Sequence, residues 1–395
     1  MRTDGREETP ASGTTAPARS RLLVPDLARG AALLLVAVGN VHFWFRQDPG
    51  ASEAWENLLS TLLFLLVDVR VYPLFSLLLG FGLAMVARGS VRAGLDSGLD
   101  QRGAERRTVA LLRRRGMWLV VFGGVHALVF AQDILGVYGL VTILVAGIVT
   151  AHRWRVALAL GAVVCALSTL FLLVAGPEAA LTRGYGAAAQ LLFEEGLLGV
   201  ATSLALWVVV APATALTSMV VPSVLLGAWL AGRGPIERPG RYRPRLAALV
   251  LVGLVVPVVV TPVLWAGSGG TGAPARVLVA WHQGLAGVLA GAACLALIAL
   301  VASHRTAGTG VLGRALTATG RRALSAYLAQ TVLMACTAGA LRLGGVDSLA
   351  LAWQLVVAVV VWSVSVLLCS VAERHGVRGP AERSLRQLVA GSPRG

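Results

Sequence analysis

Lysine is absent from this 395-residue chain, and all 34 of its basic residues are arginine. Charge of either sign is scarce. Only 13% of residues are charged, about half the share usual in a soluble domain. That shortage excludes an ordinary water-soluble fold. The 19 acidic residues leave a net charge of +15. Such a surplus invites a nucleic-acid reading. The arginines, however, fall in alternate loops instead of on one patch, so no nucleic-acid partner is expected. The all-Arg usage, with much Ala, Val, Leu and Gly, reads as GC-rich coding.

Cysteine is equally sparse. Cys165, Cys294, Cys336 and Cys369 all lie in apolar runs, and none forms a Cys-x-x-Cys pair. They read as small buried hydrophobes, not as disulfides or metal ligands. Also missing are a Gly-rich phosphate loop, a His-Glu-x-x-His helix and a Gly-x-Ser-x-Gly elbow. Each would have signalled a known soluble chemistry. Neither a bound metal nor a permanently bound cofactor is expected.

What the chain does have is length in apolar runs. Hydrophobic residues make up 56% of it, in runs near the twenty residues that cross a bilayer as a helix. Short alternating segments, the mark of a membrane barrel, do not occur. The fold class is therefore all-α, a polytopic transmembrane bundle whose partner is the lipid bilayer. Ten spans are expected, near 27–45, 69–88, 117–131, 134–150, 156–175, 198–232, 246–266, 278–301, 323–341 and 349–371. The third and fourth meet at a tight turn at Gln132-Asp133. The sixth is too long for one straight helix and contains Pro212 and Pro222, so a kinked span or two shorter pieces both fit.

The arginines test this count. The 88–116 loop holds eight, and further arginines fill 151–155, 232–245, 302–322 and both termini. The intervening loops hold few. By the positive-inside rule both termini are then cytoplasmic. Residues 1–20, rich in Pro, Ala, Thr, Gly and charge, are expected to be a disordered cytoplasmic tail. Residues 21–375 are the bundle, with halves near 21–175 and 198–375, and 376–395 is a second tail. No cleavable leader precedes the first span, so that span is expected to stay. The 176–197 loop, with Glu194-Glu195, could be an external interfacial helix. No internal repeat is visible, though five spans plus five would permit an inverted pair.

Polar residues inside such a bundle are costly and mark sites. Asp26 and Arg29 stand three apart, on one face of the first helix. Asn40 follows Arg29 by eleven residues, so it lies on the same stripe, roughly 16 Å deeper. Asn40, His42, Arg70, His126, Asp133 and His282 fall in one outer depth band, with Asp68 at the mouth of the second span. Tyr138 lies one to two turns into the fourth span. Tyr327 and Gln330 share the inner band with Arg29. Plainer readings stand beside these. Asp26 with Arg29 can simply start a helix, and His126 can simply bond between helices. His42 and His282 can be interfacial anchors. Arg113-Arg114-Arg115 could attract a phosphate-bearing cofactor, or only mark topology beside anionic lipid.

These residues together resemble the YeiB-like family of bacterial membrane proteins, known as domain of unknown function 418. The resemblance runs through Arg21, Asp26, Arg29-Gly30 and Asn40, then Pro73-Leu74-Phe75-Ser76 with Leu79-Gly80-Phe81-Gly82. It continues in His126, Asp133-Ile134-Leu135 and Tyr138-Gly139. It ends in Gly320-Arg321-Arg322 through Gln330 and in Arg378-Gly379-Pro380, Glu382 and Arg386. That family is similar in turn to membrane acyltransferases: acyltransferase family three and the heparan-glucosaminide acetyltransferases. The resemblance implies a bacterial plasma-membrane protein that moves an acyl group from acyl-CoA, as co-substrate, to an envelope sugar or lipid acceptor. It places Asn40 where acyltransferase family three carries a functional histidine, and Asn cannot act as a general base at neutral pH. His126 oriented by Asp133 is then the expected base, with Asn40 a polarising donor. Asp26, Arg29, Tyr138, Arg321, Tyr327 and Gln330 are the expected substrate- and donor-binding residues. A transporter of a small or amphipathic solute, and a non-catalytic partner of envelope enzymes, remain open alternatives.

Overall fold

The structure, a computed structural model, describes residues 23–68, 70–181, 184–268, 272–303 and 310–390. The expected N-terminal tail and Arg21 lie outside the described residues, as does the side chain of Asp68. The chain is a multi-pass, all-α membrane bundle. In order, α1 is Leu23–Asn40, α2 Glu53–Leu63, α3 Val71–Asp96, α4 Gln101–Ala127, α5 Leu135–Thr150 and α6 Trp154–Leu181. After the single turn α7, Ala187–Ala189, come α8 Gly196–Thr217, α9 Val220–Leu230, α10 Arg243–Val250 and α11 Val256–Ser268. The remainder is α12 Gly272–Gln283, α13 Leu285–Ala302, α14 Val311–Arg321, α15 Ala323–Leu343, α16 Leu351–Arg374 and α17 Pro380–Ala390. Two-residue strands β1, Arg46–Gln47, and β2, Ser348–Leu349, pair in parallel with Arg46 opposite Ser348.

Among the described residues, eight helical stretches are long and apolar enough to cross a membrane. α5 and α9 are shorter apolar helices. The expected third span is only the apolar end of α4, whose first half carries the arginine run. The long sixth segment is two helices. Ser218 leaves α8 in an extended conformation, with Pro212 inside that helix and Pro222 in the first turn of α9. Pro removes a helical donor and crowds the preceding turn, which explains why the break falls there. The eighth segment is likewise broken, at Gly284 between α12 and α13. Further helices are additional to the expectation, among them α14, which lies in the expected 302–322 loop. α2 lies in what reads as a loop, and α17 in what reads as a tail.

Helices approach closely where side chains vanish. A Cβ on Gly320 would sit 1.7 Å from the Asp26 carbonyl oxygen, and one on Gly30 would sit 2.0 Å from that of Leu316. α1 and α14 therefore cross backbone to backbone, and only Gly fits at either position. The main apolar core joins Leu74, Leu77 and Phe81 of α3 with Val137 and Val141 of α5, Val224 of α9 and Leu295 of α13. A second core at the opposite end packs Trp44 and Phe45 on Phe130, Met334 and Ala358. That end is tied by Glu194, which pairs with both Arg46 and Arg342. Glu56 there accepts from the Leu351 amide at 2.8 Å.

Candidate functional site

The α1–α14 crossing builds the first cluster. It sets Asp26 between two guanidiniums: Arg29 Nη1 at 3.3 Å and Arg321 Nε at 3.6 Å. Arg29 also donates to the Leu78 carbonyl of α3 at 3.2 Å. Arg321 is shared with Glu373 of α16, which binds Arg322 as well. Arg322 turns away and donates to the carbonyl of Val377. Glu382 of α17 accepts from the Leu324 and Ser325 amides at 2.8 and 3.2 Å. A carboxylate there caps the first turn of α15 and meets the positive end of its dipole.

Arg115 belongs to the same cluster and is less committed. It ends the arginine run, just before the apolar half of α4, and its Nε is enclosed with no hydrogen-bond partner among the described residues. Burial, then the neighbouring Arg29 and Arg386 guanidiniums, push its pKa below the usual arginine value, while Glu382 opposes them. Charge of one sign is thus concentrated here beyond what the local carboxylates neutralise.

The second cluster is closed. Asp133 has no exposed side-chain surface. One oxygen accepts from His126 Nδ1 at 2.8 Å. The other accepts from the Gly136 amide at 2.7 Å and from Trp207 Nε1 at 3.2 Å. Asp133 therefore caps α5 while it orients the imidazole. His126 Nε2 lies 2.9 Å from Thr331 Oγ1 of α15. Both ring nitrogens are taken, in the order carboxylate, imidazole, hydroxyl. The Tyr327 ring sits 5.0 Å from the imidazole, between centroids.

One cavity, of about 1350 Å³, runs past the first cluster and beside the second. Asp26, Arg29, Val36 and Asn40 line it, so the polar stripe of α1 is one of its walls. Arg115, Arg321 and Glu382 line one end, and Asn40, His42, Gln132 and Gln283 the other. Tyr138 and Tyr327 form part of the wall between. His126, Asp133 and Gln330 are not on the wall. Gln330 bonds Ser365 Oγ at 3.3 Å between α15 and α16. Arg70 and His282 are buried elsewhere, and His282 stacks on Phe64 and bonds Thr261 at 3.1 Å. Among the described residues, no group of three His, Cys, Asp or Glu is placed to hold a metal ion.

The cavity adds Arg115, Glu382, Gln132 and Gln283 to the residues anticipated from sequence. Arg115 carried a signal as the last member of an arginine run, Gln132 as part of a tight turn, and Glu382 only as part of the family resemblance. Glu382 sits 57 residues from Ser325, which it caps, and no local pattern joins them.

Residues 230–392 match the family model described as a protein of unknown function (DUF418). The matched span contains Arg321, Tyr327, Gln330 and Glu382, whereas Asp26, Arg29, Asn40, His126 and Asp133 precede it. No curated protein matches the chain.

Proposed function

We propose that this chain, whose residues 230–392 match the DUF418 family model, is an acyl-CoA-dependent acyltransferase of the bacterial plasma membrane. Its acceptor is a hydroxyl of an envelope sugar or lipid. The observation that carries this reading is the cavity with arginines at one end and uncharged hydrogen-bonding groups at the other. Arg29, Arg115 and Arg321 suit the donor's phosphates, which guanidiniums bind bidentately. Those arginines belong to the end that the positive-inside rule makes cytoplasmic, where acyl-CoA is found. The acyl chain then points along the α1 stripe toward Asn40.

In the transfer, the acceptor oxygen attacks the thioester carbonyl carbon. A C–O bond forms, the C–S bond breaks, and the acceptor proton passes through a base to the departing thiolate. His42 is the histidine on the cavity wall and takes the base role in this scheme. Asn40, two residues before it, is the donor for the oxyanion. His126 does not face the cavity, so it acts as a positioning residue. With Asp133 and Thr331 it holds α4, α5 and α15 together and supports Tyr327 on the wall.

The test is mass spectrometry of lipid and glycan extracts from cells that lack the chain, restored with wild type, His42→Ala or Arg115→Gln at equal membrane levels. A mass increase of one acyl group should appear with wild type and fall by about 100-fold or more in His42→Ala, the usual worth of a general base. No such product in any extract would end the transfer reading.

One observation favours a transporter as the second reading. Both helix breaks border the cavity, through Ser218 and Met219 of the α8–α9 break and Gln283 of the α12–α13 break. Interrupted helices beside a solute site are a transporter device. Solute flux that depends on Arg29, without covalent product, would establish it.

A further inference from the structure

The wall of the cavity is not closed on all sides. Three of its lining groups are apolar and sit within helices: Met85 and Val86 on α3, Phe171 and Leu172 on α6, and Val209, Val210 and Ala213 on α8. Several of these same residues are strongly exposed, Val209 by 70% and Phe171 by 51%. Along their helices they lie ~20–27 Å from the first residue, which in a hydrocarbon layer ~30 Å thick is the inner part for α3 and α8 and, because α6 runs the other way, the outer part for α6. An opening that runs along that layer faces lipid chains, not water. α3 does not close it, because α3 packs against α9, α4 and α13 and makes no comparable contact with α6 or α8.

The polar end of the cavity has its own character. Asn40, Gln132 and Gln283 are uncharged hydrogen-bonding groups, His42 stands among them, and among the described residues no arginine or carboxylate lines the cavity beside them. Amides of this kind match hydroxyl groups, which both donate and accept. Phosphate would call instead for the guanidiniums at the other end.

We propose that the acceptor is a neutral glycolipid. Its sugar hydroxyls lie against Asn40, Gln132 and Gln283, and its apolar tail leaves sideways through the slot between α3, α6 and α8 into the bilayer. The proposal rests on the transfer reading for its purpose, but the binding itself does not require a reaction. A soluble sugar would leave this apolar slot unfilled. A phospholipid would fill the slot and present the wrong group to the amides.

The test uses the full chain in phosphatidylcholine vesicles, without acyl-CoA. The vesicles carry either a glucosyl diacylglycerol with a diazirine near the end of one acyl chain, or phosphatidylcholine with the same chain. After illumination, adducts are mapped by peptide mass spectrometry. The sugar lipid should label Phe171, Val209 and Val210 at least about five-fold more than phosphatidylcholine does, the worth of one net hydrogen bond. That excess should vanish in Asn40→Leu, which loses the head-group contact. It should also vanish in Ala213→Trp, which plugs the slot from an exposed position and spares the core. Equal labelling by both lipids would mean that bulk lipid fills the slot, and would overturn the proposal. So would adducts confined to outward residues such as Leu158 and Leu198. Preferential labelling with no acylated product in cells would defeat the transfer reading and leave glycolipid binding standing. Acylated soluble sugar without labelling would defeat this inference alone.

Discussion

The charge clusters around Asp133 and around Asp26 differ in what their partners leave over. Around Asp133, every polar atom is consumed. The carboxylate takes an imidazole, an amide and an indole, and the imidazole takes a hydroxyl in turn. Around Asp26, one carboxylate faces two arginines, a third arginine has an enclosed Nε with no partner among the described residues, and the cluster opens on a cavity. A satisfied buried network rigidifies a structure. A network with surplus charge beside empty space is prepared for a ligand. Polarity at membrane depth is therefore a poor guide to function until the partners are counted.

This contrast can be broken by substitution. Asp133→Ala should have the largest effect on stability. It leaves an imidazole, an amide and an indole without an acceptor, and should cost about 3–5 kcal/mol. The readout is thermal unfolding of purified protein in detergent, and an unchanged midpoint would show that the closed cluster is not structural. Gly320→Val comes next. The new side chain would push α14 off α1 and cost about 1–3 kcal/mol, and in the same assay it should separate Arg321 from Asp26. Full stability in that variant would refute the backbone crossing. Thr331→Val, nearly isosteric, should cost about 1 kcal/mol for the lost bond to His126. Arg115→Gln should have the smallest effect, within about 0.5 kcal/mol of wild type, because no bond is lost and a crowded positive charge is relieved. Its consequence should fall on ligand binding alone. A large loss of stability from Arg115→Gln would erase the difference between the clusters.

Much of the scaffold is legible in the chain. Runs of about twenty apolar residues announce the spans, and the spacing of Asp26, Arg29 and Asn40 announces a polar stripe, which does line the cavity. The pairing of His126 with Asp133 also follows from spacing, since both flank one turn. Its meaning does not. The residue that engages the far side of the imidazole, Thr331, is 205 positions away. A local reading therefore takes His126 for an available base. α2 and α17 are hidden for a related reason. Both fall short of a spanning length, and α17 takes its place through the buried Leu385 of its apolar face and through its Glu382, which caps the first turn of α15.

The sequence by itself determines that this protein lives in a membrane, crosses it many times as helices, and concentrates arginine at alternate ends of its spans. Hydrocarbon tolerates no unpaired backbone, so long apolar runs have no other outcome than helices. Which polar groups are spent and which remain open was decided only by the tertiary structure. That depends on Gly30 meeting Leu316 and Gly320 meeting Asp26, on α17 folding back, and on α8 standing apart from α3. Each is a contact between distant segments, and the free energy of a polar group in a membrane is set by the partner it finds there.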